Sequence, residues 1–144
     1  MGKRETSEVT RFLLVSALAL IGCRSQEARA LEAEAARLGR AIDALRDAPN
    51  EAKTPLLRAL DAEACDHTET CGLKALCSRA YTRHVEGLDK SARVKTLLTP
   101  DAGADQAQAA ALLLREAESA LGEAQRLTED CAAKQGELRR RLKP

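Results

Sequence analysis

The sequence predicts an all-α fold, an antiparallel helical hairpin or small bundle with coiled-coil-like seams of alanine and leucine. Apolar residues recur every three or four positions through most of the 144 residues, which is the spacing of one helix face. No alternating strand pattern and no repeat of about 20 to 50 residues interrupts this spacing. Proline, glycine and capping residues divide the chain into four helices, predicted at about 25–47, 55–65, 71–97 and 100–142.

The first two helices are predicted on either side of Ala48-Pro49-Asn50. Thr54-Pro55 indicates the start of the second, because threonine caps helices and proline is favoured at the first helical position. This helix would run to about Cys65, with Leu56, Leu57 and Leu60 apolar. We interpret Glu34 on the first helix as a solvated residue of its charged face. The apolar seam of the first helix consists of Ala28, Leu31, Ala35, Leu38, Ile42 and Leu45.

The third and fourth helices should form the longest pair. A turn over 66–70 precedes the third helix, which places Leu73, Cys77, Ala80, His84 and Leu88 on one side, with Tyr81 and Ala92 at the margin. Thr99-Pro100-Asp101 predicts the start of the fourth, which would reach about 60 Å. The inner face of the fourth is predicted to be Ala110, Leu114, Ala117, Leu121, Ala124, Thr128, Cys131, Gln135, Leu138 and Leu142.

The first 23 residues follow a different pattern. Lys3, Arg4 and Arg11 precede an uncharged, mostly apolar run over 12–22, about half the ~20 residues that a membrane-spanning helix needs. Leu20-Ile21-Gly22-Cys23 stands at the end of that run. This segment resembles the signal peptide and lipobox of a bacterial lipoprotein.

The resemblance implies that residues 1–22 are removed and that Cys23 is lipidated, with a diacylglyceryl group and an N-terminal acyl chain such as palmitate. Two or more acyl chains hold a protein stably on a membrane. Arg24, where an aspartate would be the retention signal, resembles the pattern of outer-membrane lipoproteins. We therefore expect a single helical periplasmic domain, residues 23–144, anchored in the cell envelope at the outer membrane.

Charge and composition narrow the possible partners. The chain has 23 basic and 22 acidic residues. Loss of residues 1–22 removes three basic and two acidic ones, which leaves 20 of each. A neutral surface argues against nucleic acid, which requires a basic stripe. Tyr81 would be the one remaining aromatic residue, and this scarcity argues against a small-molecule substrate or cofactor.

Four cysteines remain beside Cys23, and an even set in an exported chain predicts two disulfides. Cys71 and Cys77 should not pair if they share a helix, since six residues span ~9 Å, beyond the ~7 Å limit. The facing of the helices favours Cys65 with Cys71 and Cys77 with Cys131. The register does not, because a hairpin turning near 98–102 would place Cys131 level with residues 65–73. Both arguments leave the pairing open, with facing slightly favoured.

A metal site is the alternative for these cysteines, with His67 beside Cys65, Cys71 and Cys77. Structural zinc ligands usually come in pairs two to four residues apart, and the gaps of five residues here fit poorly. The sequence also lacks the C-x-x-C-H signature of haem attachment. We therefore predict disulfides and no metal.

The sequence offers no recognisable catalytic constellation. His67 lies in a turn, His84 is interpreted as a structural histidine, and no glycine-rich phosphate loop is present. We therefore predict no enzyme, and a structural or protein-binding role with another envelope protein as partner. The alternative is binding of an anionic envelope polymer or lipid headgroups through a basic tail. The candidate anion-binding residues of that tail are Arg139, Arg140, Arg141 and Lys143.

Overall fold

The computed structural model describes the backbone of residues 6–142 and the side chains of residues 26–142. The chain forms four helices, α1 (Thr6–Asp47), α2 (Asn50–Ala62), α3 (Thr68–Leu97) and α4 (Ala104–Arg141), with no strand in this part. The all-α prediction is confirmed. The side chains of the predicted signal peptide and of Cys23, and all of Lys143, lie outside the described residues. Within the part searched, no helix combines the length and apolarity needed to cross a membrane.

One apolar core joins all four helices. Leu38, Ile42 and Leu45 of α1 are fully buried in it, whereas Ala28 is exposed and Leu31 is half-buried. The predicted seam of α1 is therefore right for its C-terminal half only, and residues 26–33 project from the bundle. The buried members of this core are Leu38, Ile42, Leu45, Leu57, Leu60, Leu73, Cys77, Tyr81, Cys131 and Leu138.

The contacts of α1 and α2 fix the direction of the helices. Glu34 on α1 contacts Thr70 in the first turn of α3, and Lys53, just after α1, lies over the ring of Tyr81. α1 and α3 are therefore parallel. Gln135 near the end of α4 contacts Gly39, and Lys90 of α3 pairs with Glu116 of α4, so α4 runs antiparallel to both.

Beyond this core α3 and α4 continue as a two-helix extension, with no other described element packed on them. No residue between Glu86 and Asp130 belongs to the core shared by the four helices, and we call residues 86–130 the hairpin arm. Leu121 packs against Gly87 so closely that a Cβ there would stand 2.6 Å from its Cγ. The residues buried between the two helices of the arm are mostly small, namely Gly87, Val94, Ala110, Ala117, Ala120, Ala124 and Leu127.

The predicted inner face of α4 is wrong at one position. Leu114 is 45% exposed, while Ala120 and Leu127, which were not assigned to that face, are buried. The reason is that the described part of the chain places no third helix at this level. Two helices bury only a narrow stripe, and Leu114 lies at its edge.

α1 begins at Thr6, ahead of the predicted start at about 25, and the starts of α2, α3 and α4 also differ from the prediction. α2 begins at Asn50 and not at Pro55, which lies inside the helix. Proline there leaves the carbonyl of Glu51 without a helical partner, but Glu51 is exposed to water. The early start places Lys53 where its Nζ donates to the carbonyl oxygens of Leu45 and Arg46, at 3.0 and 3.2 Å.

α3 and α4 show the other two differences. α3 begins at Thr68, one turn before Cys71, because Glu34 accepts hydrogen bonds at this end. α4 begins at Ala104, after a turn closed by the Ala102 N–H and the Thr99 carbonyl at 3.0 Å. Proline disfavours a helical conformation for the residue before it, so Thr99-Pro100 stays in the turn.

The four cysteines meet in the pairing that facing favoured. The Cα atoms of Cys65 and Cys71 lie 5.3 Å apart, and those of Cys77 and Cys131 lie 5.1 Å apart. The register argument was wrong because the hairpin turns later than it assumed. The Lys90–Glu116 pair places the midpoint of the hairpin near residue 103. Cys77 and Cys131 are fully buried, while Cys65 and Cys71 are half-buried.

Loss of the two disulfides should have unequal effects. On the chain-entropy model, closing the loop of Cys77–Cys131 stabilises by about 4 kcal/mol and the short loop of Cys65–Cys71 by about 2. Thermal melts should therefore show a larger loss for Cys131→Ser than for Cys65→Ser. Thiol counting on the unfolded, unreduced chain should find none of these four cysteines free. Four free thiols, or equal losses in melting temperature, would contradict this account.

Candidate functional site

A buried carboxylate joins α1 to the start of α3. Glu34 is only 4% exposed. Its Oε1 accepts from the backbone N–H groups of Asp66 and His67 at 3.0 and 3.3 Å and contacts the hydroxyl of Thr70. Its Oε2 lies 2.8 Å from Nδ1 of His67. The prediction that Glu34 is solvated is therefore wrong.

The charge of Glu34 suits its position. Burial by itself would raise the pKa of Glu34, but hydrogen bonds from Thr70, from the His67 side chain and from the backbone of Asp66 and His67 lower it to about 2. The first turn of a helix has N–H groups without helical partners and favours a negative charge. Since α3 has no side-chain cap of its own, Glu34 supplies that charge from α1.

The order of these groups decides what chemistry they offer. In a nucleophilic triad the histidine stands between the hydroxyl and the carboxylate and takes the proton of the hydroxyl. Here the carboxylate of Glu34 stands between Thr70 and His67. Thr70 is also fully buried. The cluster therefore holds the start of α3 and does not activate Thr70 as a nucleophile.

A second polar cluster joins α1 to α4. Gln135 is 3% exposed, and its Nε2 donates to the carbonyl of Gly39 and to Oδ1 of Asp43, both at 3.1 Å. Its Oε1 accepts from Arg46 at 2.5 Å. Burial would raise the pKa of Asp43, but hydrogen bonds from Arg139 and Gln135 and the charges of Arg139 and Arg46 lower it. Asp43 therefore stays ionised as the acceptor in this cluster.

A third buried contact closes the turn between α1 and α2. Lys53 is 7% exposed, and its ammonium group lies 5.7 Å from the centroid of the Tyr81 ring. Its bonds to the last carbonyls of α1 complement the negative end of the helix dipole. Nearby, Nε2 of His84 lies 3.4 Å from Oδ1 of Asn50, and burial and the charge of Lys53 lower the pKa of His84. This position agrees with a structural role for His84.

The structure places the described residues of the basic tail in two different situations. Arg139 pairs with Asp43 on α1, and Arg141 pairs with Glu69 on α3. Arg140 is exposed and makes no ion pair within residues 26–142. Arg139 and Arg141 therefore join α4 to α1 and to α3. An anion that binds the tail would have to compete with the carboxylates of Asp43 and Glu69.

An open cleft of about 390 Å³ lies between α1 and the end of α4. Small residues leave this space, and the guanidinium groups of Arg40 and Arg139 flank it together with the carboxylate of Glu32. The remaining lining residues are apolar, namely Ala35, Ala36, Gly39 and Leu142. The cleft has mixed charge, and no cysteine, serine or histidine is among its described lining residues.

The metal alternative lacks its ligands. The sulfur atoms of Cys65, Cys71 and Cys77 are bonded in disulfides. Among residues 26–142 no three histidine, cysteine, aspartate or glutamate side chains are arranged to hold a metal ion.

Comparison of the chain with protein-family models, with curated proteins and with solved structures finds no match. Any assignment of function therefore rests on the residues and contacts of this chain alone.

The role of Glu34 can be tested through stability. Replacing it with glutamine removes a buried charge that satisfies several donors, which should lower the free energy of unfolding at neutral pH by about 2–3 kcal/mol. Chemical denaturation measures this loss. The matched control is Glu32→Gln, two residues away and exposed, which should change little.

The same pair of variants should differ in acid. The pKa of Glu34 is lowered from 4.5 to about 2 in the folded state. A depressed pKa stabilises the fold above the unfolded value, and this contribution is lost as the pH falls toward the folded value. The difference in the free energy of unfolding between wild type and Glu34→Gln should therefore disappear as the pH falls from about 5 to about 2. A difference that is independent of pH would show that the charge is not what stabilises.

Proposed function

We propose that the protein is a lipid-anchored component of the bacterial envelope with a structural or protein-binding role, holding the hairpin arm away from the membrane. The observation that carries this proposal is the parallel packing of α1 on α3. Residues 26–33 leave the core at one end, and the arm leaves it at the other. An anchor at Cys23 and the arm would therefore lie at opposite ends of the molecule.

The separation follows from helix geometry. Gln26 precedes Glu34 by eight residues, and Leu97 follows Thr70 by 27. At ~1.5 Å per residue, the two segments together span about 50 Å. For scale, the hydrocarbon core of a membrane is only ~30 Å thick, so the tip of the arm would lie well away from the surface that holds the anchor. An arm so placed is suited to contact other envelope components.

The buried polar contacts give this arrangement a fixed direction. Glu34 ties α1 to α3, Gln135 ties α4 to α1, and Lys53 ties the start of α2 to the end of α1. Polar groups buried in this way must stay paired, because an unsatisfied one costs about 1–3 kcal/mol. The anchor-proximal helix and the arm would therefore move as one unit.

Binding of an anionic polymer by the basic tail is less well supported. Arg139 and Arg141 already pair with Asp43 and Glu69, and Arg140 is the one tail arginine without such a pair among the described residues. Exposed ion pairs are weak, about 0–1 kcal/mol, so a dense polyanion could displace them. Experiment decides between the two roles.

The anchor is tested by metabolic labelling of the full chain with a fatty acid in a bacterial host. Wild type and the control Ser25→Ala should incorporate the label, while Cys23→Ser should lose it and stay uncleaved or soluble. The reason is that the Cys23 thiol is the acyl acceptor in the lipoproteins that the segment resembles. Persistent labelling of Cys23→Ser would end the proposal.

The role is tested by chemical crosslinking of intact envelopes followed by purification of the full chain. A structural or protein-binding role predicts a defined protein partner, recovered equally with wild type and with Arg140→Gln. Polymer binding predicts cell-wall fragments instead, with a recovery that falls in Arg140→Gln and at high salt because screening weakens exposed charges. Recovery of cell-wall fragments alone would overturn the leading role.

A further inference from the structure

The two sides of the hairpin arm differ in chemistry. One side is closed by ion pairs between the helices. Arg83 pairs with Glu123 at 3.0 Å, and Lys90 pairs with Glu116 at 2.8 Å and with Glu86 at 3.2 Å. The charged groups here satisfy one another, so this side needs no further partner.

The other side of the arm carries leucines that are exposed or half-buried. Leu88 follows Tyr81 by seven residues, and Leu121 and Leu114 precede Thr128 by seven and fourteen. Residues seven apart lie on one face of a packed helix. Leu114 is 45% exposed, and Leu88 and Leu121 are half-buried.

This side of the arm continues an interface that exists inside the chain. At the level of the core, α2 covers Tyr81 through Lys53, and α1 covers Gln135, seven residues after Thr128. The cover ends where α1 turns into α2, at the contact of Asn50 with His84. Beyond that point the same row of residues has no helix over it within the described part of the chain.

The contact between α3 and α4 in the arm buries little apolar area, so another helix packed on the arm would stabilise it. Alanine and glycine side chains bring α3 and α4 close together but bury little apolar area, and apolar burial contributes about 25 cal/mol per Å². A leucine face packed over Leu88, Leu114 and Leu121 would add the area that the seam lacks. The arm carries such a face itself.

We propose that this face pairs with the same face of a second copy of the chain, so that two arms form a four-helix bundle. A two-fold interface uses the same patch on both copies. Lys95, seven residues after Leu88, continues the row of α3, and Glu118 lies beside Leu114 and Leu121 on α4. The face therefore carries both signs, and a second copy meets no block of like charge. The parallel orientation of the arms rests on the proposed anchor, because copies held in one membrane project in the same direction.

The size of the face predicts a weak dimer. Two helices, each ~10 Å wide and exposed over ~20 Å, offer about 400 Å² per copy. A pair would bury about 800 Å², less than the ~1,200 Å² of most stable interfaces. We expect a dissociation constant of about 10–100 μM in solution. Anchoring copies in one membrane raises their effective concentration toward the millimolar range and would favour pairing there.

Sedimentation equilibrium of the full chain in density-matched detergent tests the pairing. The chain used carries Cys23→Ser, so the result does not depend on lipidation. A failure of the pairing can therefore be told apart from a failure of the proposed lipid anchor. Over about 10 μM to 1 mM the protein should shift from monomer to dimer. Leu114→Asp should weaken the dimer at least about tenfold, since a charge would be buried against leucine.

Leu112→Asp is the matched control. Leu112 is 51% exposed, but it lies about 200° around α4 from Leu114, on another side of the helix. Leu112→Asp should leave the dimer unchanged. Circular dichroism should show that both variants are folded, because both positions are exposed. A Cys23→Ser chain with no further substitution that stays monomeric to about 1 mM would overturn the proposal. So would a dimer that Leu114→Asp does not weaken, or that Leu112→Asp weakens equally.

Discussion

The orientation of α1 depends on the carboxylate of Glu34. The loop before α3 and the first turn of α3 present backbone N–H groups, a hydroxyl and an imidazole to one buried acceptor. A charge this buried is stable only while those donors surround it. α1 must therefore lie beside the start of α3, and the contact of Lys53 with Tyr81 farther along makes it run parallel to α3. The direction of residues 26–33, and with it the position of any anchor, follows from these two contacts.

The hairpin of α3 and α4 is stabilised differently. Small side chains bring the two helices together, and Cys77–Cys131 joins them at the level of the core. Crosslinks of this kind are expected where apolar burial is small. At that level the leucines of α1 and α2 complete a core, whereas in the arm Leu88, Leu114 and Leu121 remain partly exposed. The part of the molecule with the most incompletely buried leucines is thus the part farthest from the proposed anchor.

Periodicity predicted the helices and most of the core, because burial of one face is a local property of each helix. It placed the buried Gln135 on the inner face correctly but failed at the buried Glu34. Glu34 lies three residues after Leu31 and four before Leu38, which is seam spacing, but a carboxylate there is stable only with donors from 32 to 36 residues away. The predicted helix starts at Pro55 and Pro100 were wrong for a related reason. The preference of proline for the first helical position is weaker than the bond of Lys53 to the end of α1 and the hydrogen bond that closes the turn before α4.

The central claim is that the proposed anchor and the arm lie at opposite ends of one rigid unit. Double electron–electron resonance between labels at Ala28 and Thr99 measures this most directly, with the labels attached to unnatural amino acids so that the disulfides stay intact. The account predicts a single narrow distribution near about 50 Å, from helices of ~1.5 Å rise per residue. A distribution centred near about 20 Å, the value expected if α1 ran antiparallel to α3, would contradict it. A broad distribution would contradict the rigidity.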